Sequence, residues 1–399
     1  MAGSKRVPVE GPLGLFADGF AVYLTERGYS RLSVREHLRR VRHMSRWMTA
    51  ERLEVAQLTA AVVQRFLDER RRQGKAVMIS PQGSRPLLSY LEGLGVLGPD
   101  DRVRTPVELL LEDFRSYLLG DRALQASTAS LYEATARVFL AERPEPLSDD
   151  LARVTGAEIS AFVVERSRAG SVSATSNVIC ALRALLSFLH VRGYIPRSLV
   201  CAVPSVAKRS SLLPRALDAD QVALLFASCE RQCGLCRRDL AILKLLCRLG
   251  LRAGEVAKLE LEHIEWQAGE VLVIGKGRRL GRLPLPHDVG EAIVDYLREE
   301  RPDTACRALF LTSVAPLVGL SSGAVTAVVA RAGRRAGLAP VGAHRLRHTA
   351  ATEMLRAGAS LPEVGQVLRH RRLQTTAVYA RVDRERLQAL ALPWPEVIS

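Results

Sequence analysis

Apolar residues recur along most of this chain at the three-to-four-residue spacing of an amphipathic helix, and polar, Gly- or Pro-marked breaks separate the runs. Leu13 to Pro99 and Pro106 to Gly193 each read as a small unit of four or five such helices, with Ser33, Thr59, Ser127 and Thr155 available as N-caps. The two units match one another in order. Phe20, Tyr23, Leu24 and Ser33 fall on Phe114, Tyr117, Leu118 and Ser127, and Leu58 to Gly74 falls on Val154 to Gly170. Arg85 to Leu91 falls on Arg183 to Leu189, each followed four residues later by a glycine, Gly95 and Gly193. Three matches in the same order read as an internal duplication. Pro and Gly in Leu97 to Pro106, and the prolines of Pro196 to Pro214, mark linkers. The expected domains are therefore residues 1–100, 105–200 and 215–399. From Leu217 the pattern changes to two helices, a strand-rich stretch and further helices. Val271 to Ile274 and Leu283 to Leu285 are β-type runs, joined by a basic, glycine-rich turn from Gly275 to Arg282. The predicted fold is mainly α, with one small antiparallel sheet in the last domain.

Composition supports several folded parts: 399 residues suggest two to four domains, and 48% hydrophobic against 25% charged residues is ordinary for a globular chain. Charge adds a partner. The formal net charge of +15, from 57 Lys and Arg against 42 Asp and Glu, favours a polyanion, with nucleic acid first; an Arg-rich genomic composition is the alternative. No uninterrupted apolar stretch reaches the roughly 18 to 20 residues of a membrane helix, and Met1 to Glu10 lacks a signal peptide's apolar core, so a cytoplasmic protein is expected. The seven cysteines are an odd set in core-like sequence and are expected to be reduced thiols. Cys229, Cys233 and Cys236 have a spacing that some metal clusters use, but they bridge two helices, and no metal or other cofactor is expected.

In the last domain, Leu245 to Trp266 (LLCRLGLRAGEVAKLELEHIEW) resembles the first arginine box of the tyrosine recombinases, the phage integrase-like enzymes, with Arg252 as its arginine. His344-Arg345-Leu346-Arg347 resembles the family's H-x-x-R box, and one helical turn sets His344 and Arg347 on one face. Leu368-Arg369-His370 resembles the Leu-Gly-His box, Tyr379 follows at the separation of the nucleophile, and Lys276 stands where the family has its hairpin lysine. Each residue alone has an ordinary structural explanation; their joint order carries the resemblance. It implies a catalytic set of Arg252, Lys276, His344, Arg347, His370 and Tyr379, and it makes the helical unit before the catalytic domain a SAM-like core-binding domain, with the first unit its duplicate.

The implied chemistry agrees with the residue types. A phosphodiester under attack spreads charge over its nonbridging oxygens, which guanidinium groups and a histidine donor stabilise. A tyrosine hydroxyl, with an ordinary pKa near about 10, needs a base, and His344 is the candidate. Lys276 would protonate the leaving 5′ oxygen, leaving a 3′-phosphotyrosine. Glu255, three residues after Arg252, either orients that guanidinium or forms an ordinary helix-surface pair. Arg369 departs from the family's glycine, and with Arg371 and Arg372 makes a basic turn for which further phosphate contacts are one reading. The resemblance implies double-stranded DNA as partner, a tetramer on paired sites, and a tail after Arg384 whose Leu387, Leu390, Leu392 and Trp394 dock on a neighbouring protomer or on their own domain. A type IB topoisomerase-like enzyme and a noncatalytic DNA-binding protein are the alternatives.

Overall fold

The computed structural model describes residues 8–98, 104–141, 143–168, 172–205, 216–230, 236–275 and 280–369. The Lys276, His370 and Tyr379 positions, Cys233 and the tail fall outside them.

The first helical unit consists of α1 (Ala17–Glu26), α2 (Arg31–Ala50), α3 (Ala60–Arg72) and α4 (Arg85–Gly93). Its apolar faces meet in a core of Phe20, Leu24, Met44, Met48, Phe66, Leu67 and Leu91. The second unit repeats the plan in α5 (Pro106–Leu119), α6 (Ala126–Leu140), α7 (Leu147–Ala152), α8 (Gly156–Arg168) and α9 (Val172–Val191). Phe114 and Leu118 are fully buried there, as are their counterparts Phe20 and Leu24. Both matched glycines, Gly95 (φ +67°) and Gly193 (φ +79°), adopt the left-handed conformation that stops a helix. Two expected caps hold, since the hydroxyl of Thr59 accepts from Val62 and that of Thr155 from Glu158. Two do not. Ser30 rather than Ser33 caps α2, because the chain is already helical from Arg31, and α6 starts at Ala126, so Ser127 lies inside it.

Ala174–Val191 of α9 is, among the described residues, long and apolar enough to cross a membrane. Polar residues such as Thr175, Asn177 and Arg183 interrupt it, and Leu182, Leu185, Leu186, Phe188 and Leu189 are buried in the second unit's core. It is the central helix of a helical bundle.

The third part contains α10 (Ala219–Glu230), α11 (Cys236–Arg248), the short α12 (Ala253–Val256), α13 (His287–Glu299), α14 (Ser322–Arg335), α15 (Ala343–Arg356) and α16 (Leu361–Val367). Its core runs through Ile242, Leu245, Leu246, Leu251, Val271, Val273, Ile293, Val325, Val329 and Leu346. The antiparallel sheet has the order β1 (Ile264–Glu265), β2 (Glu270–Ile274), β3 (Leu280–Pro284). The last strand begins earlier than its apolar run suggests, pairing Leu272 with Arg282 and Ile274 with Leu280. Arg282 belongs to the strand because it faces solvent and bridges Glu270 on the adjacent β2 and Glu265 on β1 beyond it.

Met1–Pro99 and Ser211–Ser399 form one compact unit and Asp100–Ser210 another. Within the former, the Leu317 N–H donates to the carbonyl of Arg27 at 2.8 Å. Gly28 beside it has φ +79°, and a Cβ there would lie 2.3 Å from Leu317 Cδ1.

Candidate active site

The turn Leu249-Gly250-Leu251 joins α11 to α12 through Gly250, whose φ is +59°. A Cβ on Gly250 would stand 2.4 Å from Leu368 Cδ2 and 3.3 Å from Ala350 Cβ. Glycine is needed here twice over, for the left-handed backbone and for the close approach of two other motif segments. The turn delivers Arg252 to the N-cap of α12. Arginine has no acceptor for a capping bond, so the cap is completed from the other side: the Arg252 N–H donates to Glu255 Oε2 at 2.8 Å.

Glu255 is 4% exposed, which rules out a helix-surface pair. Its Oε1 accepts from Arg252 Nη1 at 2.7 Å, and its Oε2 accepts from Arg369 Nη2 at 2.7 Å. Burial pushes this carboxyl up, but the Arg252 N–H and the Arg369 and Arg252 guanidinium groups outweigh it and hold Glu255 below its ordinary value. The Arg252 side chain keeps 42% of its surface open, so its remaining donors can meet a ligand.

Arg347 is 2% exposed. Its guanidinium donates to the carbonyls of Gly250 and Leu368, tying the arginine-box turn, α15 and the end of α16 together. His344 lies one turn earlier on α15 and is exposed. Its pKa is lowered by partial desolvation first and then by the charges of Arg347 and Arg252, which puts all three within electrostatic reach. The His348 ring, which sequence reasoning did not single out, packs edge-on against His344 at 4.4 Å between centroids. Its pKa falls to about 4 through burial, then His344 and Arg347. The signal was the i,i+4 spacing of two histidines on a helix.

Arg369 has φ +53°, the conformation for which the family's glycine is suited. Its side chain is 17% exposed, with Nη1 on the Val367 carbonyl at 3.0 Å and Nη2 on Glu255. Arg252, His344 and Arg347 are thus brought together, whereas Lys276, His370 and Tyr379 belong to the residues not described.

Comparison with known proteins decides the family. Residues 215–386 match the phage integrase family, and residues 17–80 and 111–193 each match its N-terminal SAM-like domain. A Sinorhizobium fredii protein named as an integrase/recombinase (y4rA) is 38% identical over 97% of this chain and 96% of its own length. The chain belongs to the phage integrase family. As a tyrosine recombinase it is a DNA breaking-rejoining enzyme. The tyrosine recombinase XerD of Listeria innocua is 27% identical over 70% of this chain and 96% of its own. A solved structure of the XerH site-specific recombinase bound to palindromic difH substrate covers 98% of this chain and 100% of that one, at TM-score 0.53 and 17% identity. At that identity the likeness bears on the fold, mainly helical with a small sheet. The double match to the SAM-like domain supports the duplication expected from the internal repeat.

Proposed function

We propose that this recombinase cuts double-stranded DNA at specific sites by attack of the Tyr379 hydroxyl on a phosphodiester, and rejoins it by reversal, in the integration, excision or transposition of a mobile element. The Tyr379 oxygen–phosphorus bond forms as the bond from phosphorus to the 5′ oxygen breaks; His344 accepts the tyrosine proton and Lys276 supplies one to the leaving oxygen. Bond energy is retained in the 3′-phosphotyrosine, so the 5′ hydroxyl of either strand can reverse the step without ATP. Arg252 offers open donors to the nonbridging oxygens, Arg347 adds charge, and His370 a further hydrogen bond. A neutral His344 suits a base, and its lowered pKa keeps it neutral near pH 7.

The observation that carries this reading is Arg347, which joins the first arginine box, the H-x-x-R helix and the Leu-Arg-His segment through Gly250 and Leu368. The net charge of +15 supports DNA as substrate. The XerH structure is of a recombinase on its DNA substrate, and a lambda integrase solved as a dimer on a core site has TM-score 0.54, which supports assembly of several copies on paired sites. We place the enzyme in the cytoplasm, with the two helical units gripping DNA and the last domain cutting it.

The test is a suicide substrate carrying a nicked element end. Wild-type protein is expected to form a covalent adduct that resists denaturant, and Tyr379→Phe none. An inert wild type, or an adduct surviving in the phenylalanine variant, overturns the proposal.

A further inference from the structure

Arg369 is the feature that the family's plan does not explain. A non-glycine residue at φ +53° is less favourable than glycine, so this side chain occupies a position where the backbone favours having none. Its guanidinium does not face solvent as a phosphate-binding arginine would. It is 17% exposed, one Nη is engaged by the Val367 carbonyl, and the other reaches across 114 positions of sequence to Glu255 Oε2 at 2.7 Å. Glu255 in turn holds Arg252 by both its backbone N–H and its Nη1. The aliphatic part of Arg369 lies against β3: a Cβ on Gly281 would stand 3.1 Å from Arg369 Cδ, so that glycine leaves the room the side chain uses. Arg369 therefore touches the start of α12 and the strand that follows the Lys276 hairpin, and it immediately precedes His370 in the chain.

We propose that Arg369 is a positioning residue that acts through Glu255 to orient the Arg252 guanidinium, coupling the arginine box to the segment that carries His370. This rests on the catalytic reading above. A carboxylate shared by two guanidinium groups is fixed from both sides, whereas a carboxylate held by Arg252 alone can swing with it. Further phosphate contact, one reading of the basic turn, does not suit Arg369, because both Nη groups already have partners inside the protein.

The test combines Arg369→Gly, Glu255→Gln and the double variant in the full-length protein, each assayed for adduct formation in a single turnover, for affinity to the same DNA and for thermal unfolding. Glycine fits the backbone, so Arg369→Gly should fold with an unfolding temperature close to wild type. Its adduct rate should fall about tenfold or more while its DNA affinity stays within about threefold, since positioning acts on the transition state rather than on binding. The double variant should react no more slowly than Glu255→Gln alone, and millimolar guanidinium ion should restore part of the Arg369→Gly rate. Arg369→Lys, which keeps the charge but loses the planar fork, should fall between wild type and the glycine variant. A wild-type rate in Arg369→Gly, additive losses in the double variant, or an affinity loss as large as the rate loss would overturn the inference; the last would make Arg369 a DNA-binding residue. If Arg369→Gly proves unstable, the lysine variant decides by the same rate and affinity measurements. A wild-type protein that forms no adduct would instead overturn the catalytic reading, and this inference with it.

Discussion

Gly250 concentrates the steric demands of the site in one residue. Alanine there would have to hold φ +59° and push Leu368 Cδ2 away from 2.4 Å, so Gly250→Ala should destabilise the fold by about 3 kcal/mol, measured by urea unfolding. The histidines of α15 predict a pH dependence whose sign follows from their lowered pKa values. The folded state disfavours protonated His348, whose pKa moves from 6.5 to about 4, so this contribution to stability is full above pH 6.5 and is lost as pH falls toward 4. Unfolding temperature should drop over that window, and less in His348→Gln; equal drops would refute the assignment. The lowered pKa of His344 should likewise move the acid limb of adduct formation to a lower pH than an ordinary histidine base would give. That Arg252, His344 and Arg347 would lie together could be expected from the sequence, because their order and spacing resemble the family's motifs. The burial of Glu255 and its second partner could not, since pairing over 114 positions leaves no local pattern.

At the scale of elements, the helices were legible from their apolar spacing, and the duplicated cores follow from matched residues such as Leu91 and Leu189, both buried. Caps and strand ends were less so. One hydroxyl three positions from another makes Ser30 and Ser33 equivalent in sequence, and β3 begins with residues whose place depends on the charges of β1 and β2. Helix α2 carries a functional expectation of its own. Arg35, Arg39 and Arg46 are exposed on it, and His43 on the same helix is lowered by burial and then by Arg70, Arg46, Arg42 and Arg39, the mark of a locally positive field. Replacing Arg35, Arg39 and Arg46 by alanine should weaken binding across DNA sequences alike and reduce the salt slope by about 0.9 for each phosphate that is no longer neutralised. An unchanged slope would mean that α2 faces away from DNA.

On the scale of the whole molecule, the first helical unit and the catalytic part share a compact unit with a backbone bond between Arg27 and Leu317. Gly28→Val should loosen that joint and lower the unfolding temperature, while leaving the cores of both parts intact by far-ultraviolet circular dichroism. Fold class, duplication and family were legible over the full length because helical periodicity and ordered motifs survive without tertiary packing. The joint between these parts was not, since it depends on one glycine and one leucine, Gly28 and Leu317, far apart in the chain. A last consequence comes from Arg347. Two of its carbonyl partners lie 97 and 21 positions away, so a buried cation loses an acceptor whenever either segment lifts off. Opening of one should therefore drag the others, and the amides of residues 249–251, 346–350 and 366–369 should exchange with deuterium as a single cooperative block. The enzyme would then assemble its cutting apparatus all at once or not at all, and a partly folded chain would leave DNA unbroken.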